Sequence, residues 1–368
     1  MKIKANSKIL KTALSIVSKG SSKRTTEVPL TGILLETIDD EHLKLTTNSR
    51  SCGIETIIPA NIIEHGKICL QEKIFHSIVD EVDEIEISTD TDRTVIIQNK
   101  NKTVLPNIKE GKQTLPLPEK FSYEFYGELD IASFVEEISK ISFLPLDKIS
   151  ANGNETYKGI WFDIHDNTMR CTASDGCRIG QVKVPVNETK DFRKDKSSYR
   201  FILEKDKITY LTKILPESGT LKLYLNKTKS MFVFNETKFM VVPFYRTAPN
   251  TEMFFSFPLP NYCRFEKATL MKTLERGLLL SEGNKKMVFE LKDHESNLTL
   301  SSAFGEVQDK LLTTVNGEKV TVALNPKLLL EIVKYINNDF IELLYSDNKK
   351  PIRIKDEKTN YIILPIAC

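Results

Sequence analysis

Two rhythms of apolar residues alternate along the chain: spacings of three and four, which suit one face of a helix, and strict alternation with polar residues, which suits a half-buried strand. NSKILKTALSIVSK from Asn6 has the helical rhythm through Ile9, Leu10, Ala13, Leu14 and Val17, and DIASFVEEISKISF from Asp130 and EKATLMKTLERGLLL from Glu266 repeat it. A second set of helical patterns starts at Gln71 (QEKIFHSIVDEV), Leu203 (LEKDKITYLTKIL) and Asn325 (NPKLLLEIVKYI). Between the two helices of each set lie strand-like GILLET from Gly32, GIWFDI from Gly159 and MVFELK from Met287. Each is followed by a polar turn and another strand, LKLTT from Leu43, MRCTAS from Met169 and LTLSS from Leu298. After the second helix come hairpin patterns from Ile85, Leu221 and Ile341.

These elements keep one order at a period of roughly 130 residues, which is the mark of a repeated structural unit. The pattern predicts an α+β chain of three tandem similar domains, each with two helices packed on antiparallel sheets. Proline-rich TLPLPEKF from Thr114 and FPLPNYCRF from Phe257 suit rigid joints. The expected domains are therefore 1–122, 123–260 and 261–368.

Composition narrows the chemistry. Apolar residues at 40% and charged residues at 28% of 368 fit a packed globular chain. No apolar run approaches the roughly 18 to 20 residues that cross a bilayer, and lysines are spread through the amino terminus, so a cytoplasmic protein without membrane attachment is expected. The cysteines Cys52, Cys69, Cys171, Cys177, Cys263 and Cys368 have no pairing or zinc-ligand spacing and read as reduced thiols. Nucleotide-cradling, nucleophile-elbow and metal-protease motifs are all absent, and the five histidines stand apart. The acidic runs DEVDEIE from Asp80 and DTD from Asp90 adjoin a helix end and a hairpin turn, where solvated charge accounts for them. Binding without catalysis or cofactor is expected, and a net charge of +2 means any nucleic-acid contact must come from charge sorted onto one surface.

In CTASDGCRIGQVKVPV from Cys171, Ser174, Asp175 and Gly176 form a turn signal, because short polar side chains bond to nearby backbone and glycine tolerates positive φ. Together with LNPKLLLEIVKYI from Leu324 and the ending NYIILPIAC from Asn360, this stretch resembles the bacterial DNA polymerase III beta subunit, the sliding-clamp family, over the full chain. The resemblance implies a head-to-tail homodimer forming a pseudo-sixfold ring around duplex DNA, held without reading sequence. It also implies the replicative polymerase alpha subunit, the clamp loader, and repair and translesion polymerases as partners.

By the same resemblance, candidate DNA-facing residues are Arg24, Lys148, Lys158, Lys205 and Lys207. A groove for partner peptides would be built by Ser174, Gly176, Cys177, Arg178, Ile179, Pro249, Met253, Phe254, Asn325, Leu328, Ile362, Leu364 and Pro365. Leu279 and Leu280 match a subunit-interface position. Cys177 stands where the family commonly has histidine and Met253 where a basic residue is frequent, and the chain ends Ile366, Ala367, Cys368 in place of a Met-Arg-type tail. A more apolar groove follows. The alternative is a monomeric three-repeat scaffold that binds peptides without encircling DNA; the two differ in whether the chain dimerises.

Overall fold

A computed structural model describes residues 1–21, 28–49, 51–80, 84–90, 92–108, 122–148, 153–192, 199–244, 250–281, 286–356 and 359–367. Its described helices are α1 (Ser7–Val17), α2 (Glu72–Ile78), α3 (Ile131–Ser139), α4 (Lys205–Ile214), α5 (Glu252–Ser256), α6 (Lys267–Leu280) and α7 (Pro326–Lys334). Six of these are the helices expected from periodicity, and the short α5 is additional.

Their starts have local causes. The Asn6 side chain accepts a hydrogen bond from Ile9 N at 3.1 Å, and Asn325 accepts from Lys327 N at 3.0 Å with Pro326 opening α7. Each asparagine satisfies an amide that the first helical turn leaves without a partner. Helix α1 buries Leu10, Ala13, Leu14 and Val17, whereas Ile9 is 40% exposed and stands off that face.

Every strand expected from alternation is present, and the pairing is repetitive. In the first repeat, Gly32–Thr37, His42–Asn48 and Cys52–Pro59 form a meander, and Lys2–Asn6 heads a second one through Glu84–Thr89, Arg93–Gln98 and Asn101–Pro106. In the middle repeat the corresponding strands are Gly159–His165, Thr168–Ser174, Arg178–Pro185, then Phe125–Asp130, Thr220–Leu225, Ser230–Phe234 and Thr237–Val241. The third repeat has Met287–Leu291, His294–Ser302, Gly305–Asn316, then Asn261–Glu266, Phe340–Tyr345, Ile352–Lys355 and Asn360–Ile363.

The chain gathers into two compact units. One comprises Met1–Ala132, Val186–Ser197 and Asp206–Tyr245; the other comprises Ser133–Pro185, Ser198–Lys205 and Arg246–Cys368. Within the first unit, Cys52–Pro59 of the first repeat pairs antiparallel with Thr237–Val241 of the middle repeat, making one nine-stranded sheet. Within the second, Arg178–Pro185 of the middle repeat pairs with Asn360–Ile363 of the third in a twelve-stranded sheet. We call these the first and second seams. The first unit is packed around Leu14, Ile33, Ile54, Phe75, Phe232 and Phe239, and the second around Phe134, Phe162, Phe265, Phe289, Tyr345 and Tyr361, all buried. At the second seam, a Cβ on Gly180 would lie 2.5 Å from Leu144 Cδ1 and 2.9 Å from Ile141 Cγ2, so a larger residue there would have to displace those side chains.

Candidate functional site

The turn before the second seam is held by its own side chains. Asp175 Oδ1 accepts from Cys177 N at 2.9 Å and Arg178 N at 2.7 Å, while Ser174 Oγ donates to Arg178 O at 2.7 Å and accepts from Gly176 N at 3.1 Å. Gly176 has φ +89, the left-handed conformation that glycine adopts without strain. Cys177 is thereby presented to solvent, and its carbonyl accepts from Leu364 N at 3.0 Å, which fastens the carboxyl-terminal segment beside the turn. Gly176 also faces the ring of Tyr157.

Successive strand residues point to opposite sides of a sheet. On one side Arg178, only 4% exposed, bonds Asp175 Oδ2 (2.9 Å), Leu328 O (2.9 Å) and Glu331 Oε2 (2.8 Å), with its guanidinium 5.3 Å from the Phe143 ring centroid. Phe143 in turn stacks on Tyr335 at 4.8 Å. A cleft of about 450 Å³ opens here, with Phe143, Pro145, Leu278, Asn325 and Leu328 in its wall and the Lys205–Asp147 ion pair (3.0 Å) at its edge. Arg178 is therefore turned into the α7 contact and carries a buried ionic network.

On the other side, Ser174, Ile179, Ile362 and Arg353 lie in register across four strands. Helix α5 is tied to this side: Arg170 Nη1 meets Glu252 Oε1 at 2.7 Å, and Arg353 Nη2 donates to Phe255 O at 2.6 Å and Phe257 O at 3.3 Å. Met253 is 52% exposed and Phe254 half-buried. Burial lowers the pKa of Arg353, whose Nε is enclosed without a hydrogen-bond partner. Thirteen positions named from resemblance thus resolve into a cleft group (Arg178, Asn325, Leu328), a sheet-face group (Ser174, Ile179, Met253, Phe254, Ile362) and a rim (Gly176, Cys177, Leu364, Pro365), with Pro249 outside the described residues.

Of the basic candidates, Arg24 also lies outside the described residues, Lys148 is exposed, and Lys158 is half-buried at the end of a 3-10 turn. Lys205 pairs with Asp147, and Lys207 pairs with Asp206 at 3.1 Å and lies 5.6 Å from the Tyr210 ring. Leu279 is 83% exposed at the end of α6, so it is not core, and Leu280 lies beside Gly305. Sequence reasoning passed over Tyr157, Phe143, Arg170 and Arg353; the arginines interrupt apolar strands, which was the one available signal. The acidic DTD run closes a turn, with Asp90 Oδ1 accepting from Arg93 N at 2.8 Å.

Residues 1–112 match the family model for the DNA polymerase III beta subunit N-terminal domain, and residues 261–367 match that for its C-terminal domain. The chain belongs to the DNA polymerase III beta subunit family, the sliding clamps. It is 24% identical to the beta sliding clamp of Halalkalibacterium halodurans, covering 91% of this chain and 90% of that one, and 22% identical to that of Chlamydia muridarum, covering 93% of each. Among solved structures, the beta subunit from Eubacterium rectale superposes with a TM-score of 0.90 at 26% identity over 100% of both chains. The Pseudomonas aeruginosa sliding clamp bound to griselimycin does so at 0.91 and 15%, again over 100% of both, which speaks to fold alone. The family's α+β architecture is the one observed here.

Proposed function

We infer that the chain is a non-catalytic processivity clamp: two copies join head to tail into a ring that encircles duplex DNA and tethers a polymerase. One observation carries this reading. At both seams the third strand of one repeat's first meander pairs with the last strand of the next repeat's second meander. Applying the same rule once more leaves two strands without a counterpart among the described residues, Asn101–Pro106 of the first repeat and the start of Gly305–Asn316 of the third. They are complementary to each other, so a second copy supplies what each lacks, and two such joints close a cycle of six repeats. The exposed Leu279, with exposed Phe304 beside Gly305, supports an apolar contact at that joint.

The domain boundaries near 122 and 260 are supported by the separate family matches at 1–112 and 261–367. Lys148, Lys158, Lys205 and Lys207 are proposed to meet phosphates, contacts that position without reading bases. The turn, α5 and the carboxyl-terminal segment are proposed to receive short peptides from the polymerase alpha subunit, the clamp loader and repair or translesion polymerases. Griselimycin, which the Pseudomonas aeruginosa and Bartonella birtlesii clamps bind, is a probe for that groove.

Sedimentation is expected to give a dimer, and protein assembled on nicked circular DNA to be lost when the circle is cut. Leu279→Lys is expected to weaken the dimer by at least about tenfold, since it places a charge at the core of an apolar contact. A monomer at every concentration, or equal retention on circular and linear DNA, would favour the scaffold reading instead.

A further inference from the structure

Helix α5 has little to hold it in place. It is five residues long, far short of the roughly 12 to 15 at which a helix sustains itself in water, none of its residues is buried, and its start is capped only by Asn250 Oδ1, which accepts from Glu252 N at 3.2 Å. Its ends nevertheless have defined partners on two repeats. Arg170, on Thr168–Ser174 of the middle repeat, takes Glu252; Arg353, on Ile352–Lys355 of the third, takes the carbonyls of Phe255 and Phe257.

In the sheet the order is Thr168–Ser174, Arg178–Pro185, Asn360–Ile363, Ile352–Lys355, so α5 spans the second seam. The register places both arginines on the same face. Arg170 is opposite Lys183, two strand positions from Gln181 and four from Ile179, and Ile179 faces Ile362, which faces Arg353. Three strand spacings amount to roughly 14 Å, whereas five helical residues rise only about 7 Å, so long side chains have to complete the span. Both carbonyls are met by one terminal nitrogen, Arg353 Nη2, and a lysine ammonium on a differently shaped stem would keep only part of that contact.

The geometry points to Arg353, assisted by Arg170, as a positioning residue that straps α5 over the second seam and sets the distance from Met253 and Phe254 to Ile179 and Ile362. It rests on the peptide-groove reading above. Arg353 acts through the strap and does not itself touch the ligand.

The test uses the full-length protein, with griselimycin affinity measured by calorimetry and amide exchange followed across residues 252–257. Arg353→Met is expected to weaken griselimycin about tenfold, accelerate exchange in the strap and leave dimerisation unchanged, with Arg353→Lys intermediate. In a Met253→Ala background, Arg353→Met is expected to add no further loss, because the wall it positions is already gone. Wild-type affinity for Arg353→Met, or a fully additive loss with Met253→Ala, overturns the proposal. If Met253→Ala binds like wild type, the groove reading falls instead, and exchange alone decides the strap: faster supports it, unchanged refutes it. Should Arg353→Met fail to fold, Arg170→Gln, at an exposed ion pair, is expected to weaken binding two- to threefold with the same change in exchange; no change in either measurement refutes it.

Discussion

The two seams follow one backbone rule and differ almost entirely in side chains. At the first, Thr56 and Thr237 share a hydrogen bond of 2.9 Å in the interior, and Lys238 meets Glu55 at 3.0 Å on the surface. At the second, a buried arginine joins the turn to α7, Ile179 and Ile362 meet on the opposite face, and α5 is tied there by Arg353. Identical strand pairing therefore makes a plain joint in one place and a groove in the other. Fold is carried by backbone register, while the proposed capacity to bind rests on a few side chains added to one copy of it.

The sharpest way to break this contrast is at the ion pairs. Arg178→Met should destabilise the chain by about 3 kcal/mol, because Asp175 would be left as a poorly solvated carboxylate without its cation, while Glu331 reaches water. Lys238→Ala at the first seam should cost under about 1 kcal/mol, since that lysine is largely in water. Urea denaturation of both variants checks the difference, and equal losses would mean that the seams are energetically alike.

A smaller effect is expected at the buried threonine pair. Thr56→Val should cost about 1 to 2 kcal/mol by leaving the Thr237 hydroxyl unpaired, while Thr56→Val with Thr237→Val should recover most of it, as no polar group then remains unsatisfied. Thermal melts of the single and double variants distinguish this from simple packing loss.

The smallest effect concerns the helices behind the first seam, where Lys11 Nζ donates to His76 O at 2.7 Å and Val79 O at 2.6 Å, joining α1 to α2. Burial, with Lys11 and Lys19 nearby, holds the His76 pKa below 6.5. A histidine depressed in this way favours the folded state most when neutral, so its contribution is complete above pH 6.5 and declines as pH falls below that value. Melting temperature should fall slightly from pH 7 to 5.5, and His76→Gln should flatten that slope. An unchanged slope would remove His76 from the account.

Much of this architecture was legible in the chain because it depends on local periodicity. Helices α1, α2, α3, α4, α6 and α7, two strands between the helices of each repeat and a hairpin after the second helix were signalled by an amphipathic rhythm and by its recurrence. The short α5 escaped notice because five residues carry too little rhythm to be read. Arg178 was legible as part of the turn, but not as a residue directed into α7, since one strand position decides which side of the sheet a side chain faces. Leu279 could have been core or contact on pattern alone, and its exposure favours contact.

By itself, the sequence determined the six longer helices, the strands of clear alternation, their order and their threefold recurrence, because apolar spacing and capping act over a few residues. Tertiary structure alone decided which strands of different repeats share a sheet, that Arg178 and Arg353 work on opposite faces of one seam, and that Asn101–Pro106 and the start of Gly305–Asn316 lack counterparts among the described residues. Those outcomes depend on register between segments more than 100 residues apart, such as Ile179 with Ile362, and no local pattern encodes that register.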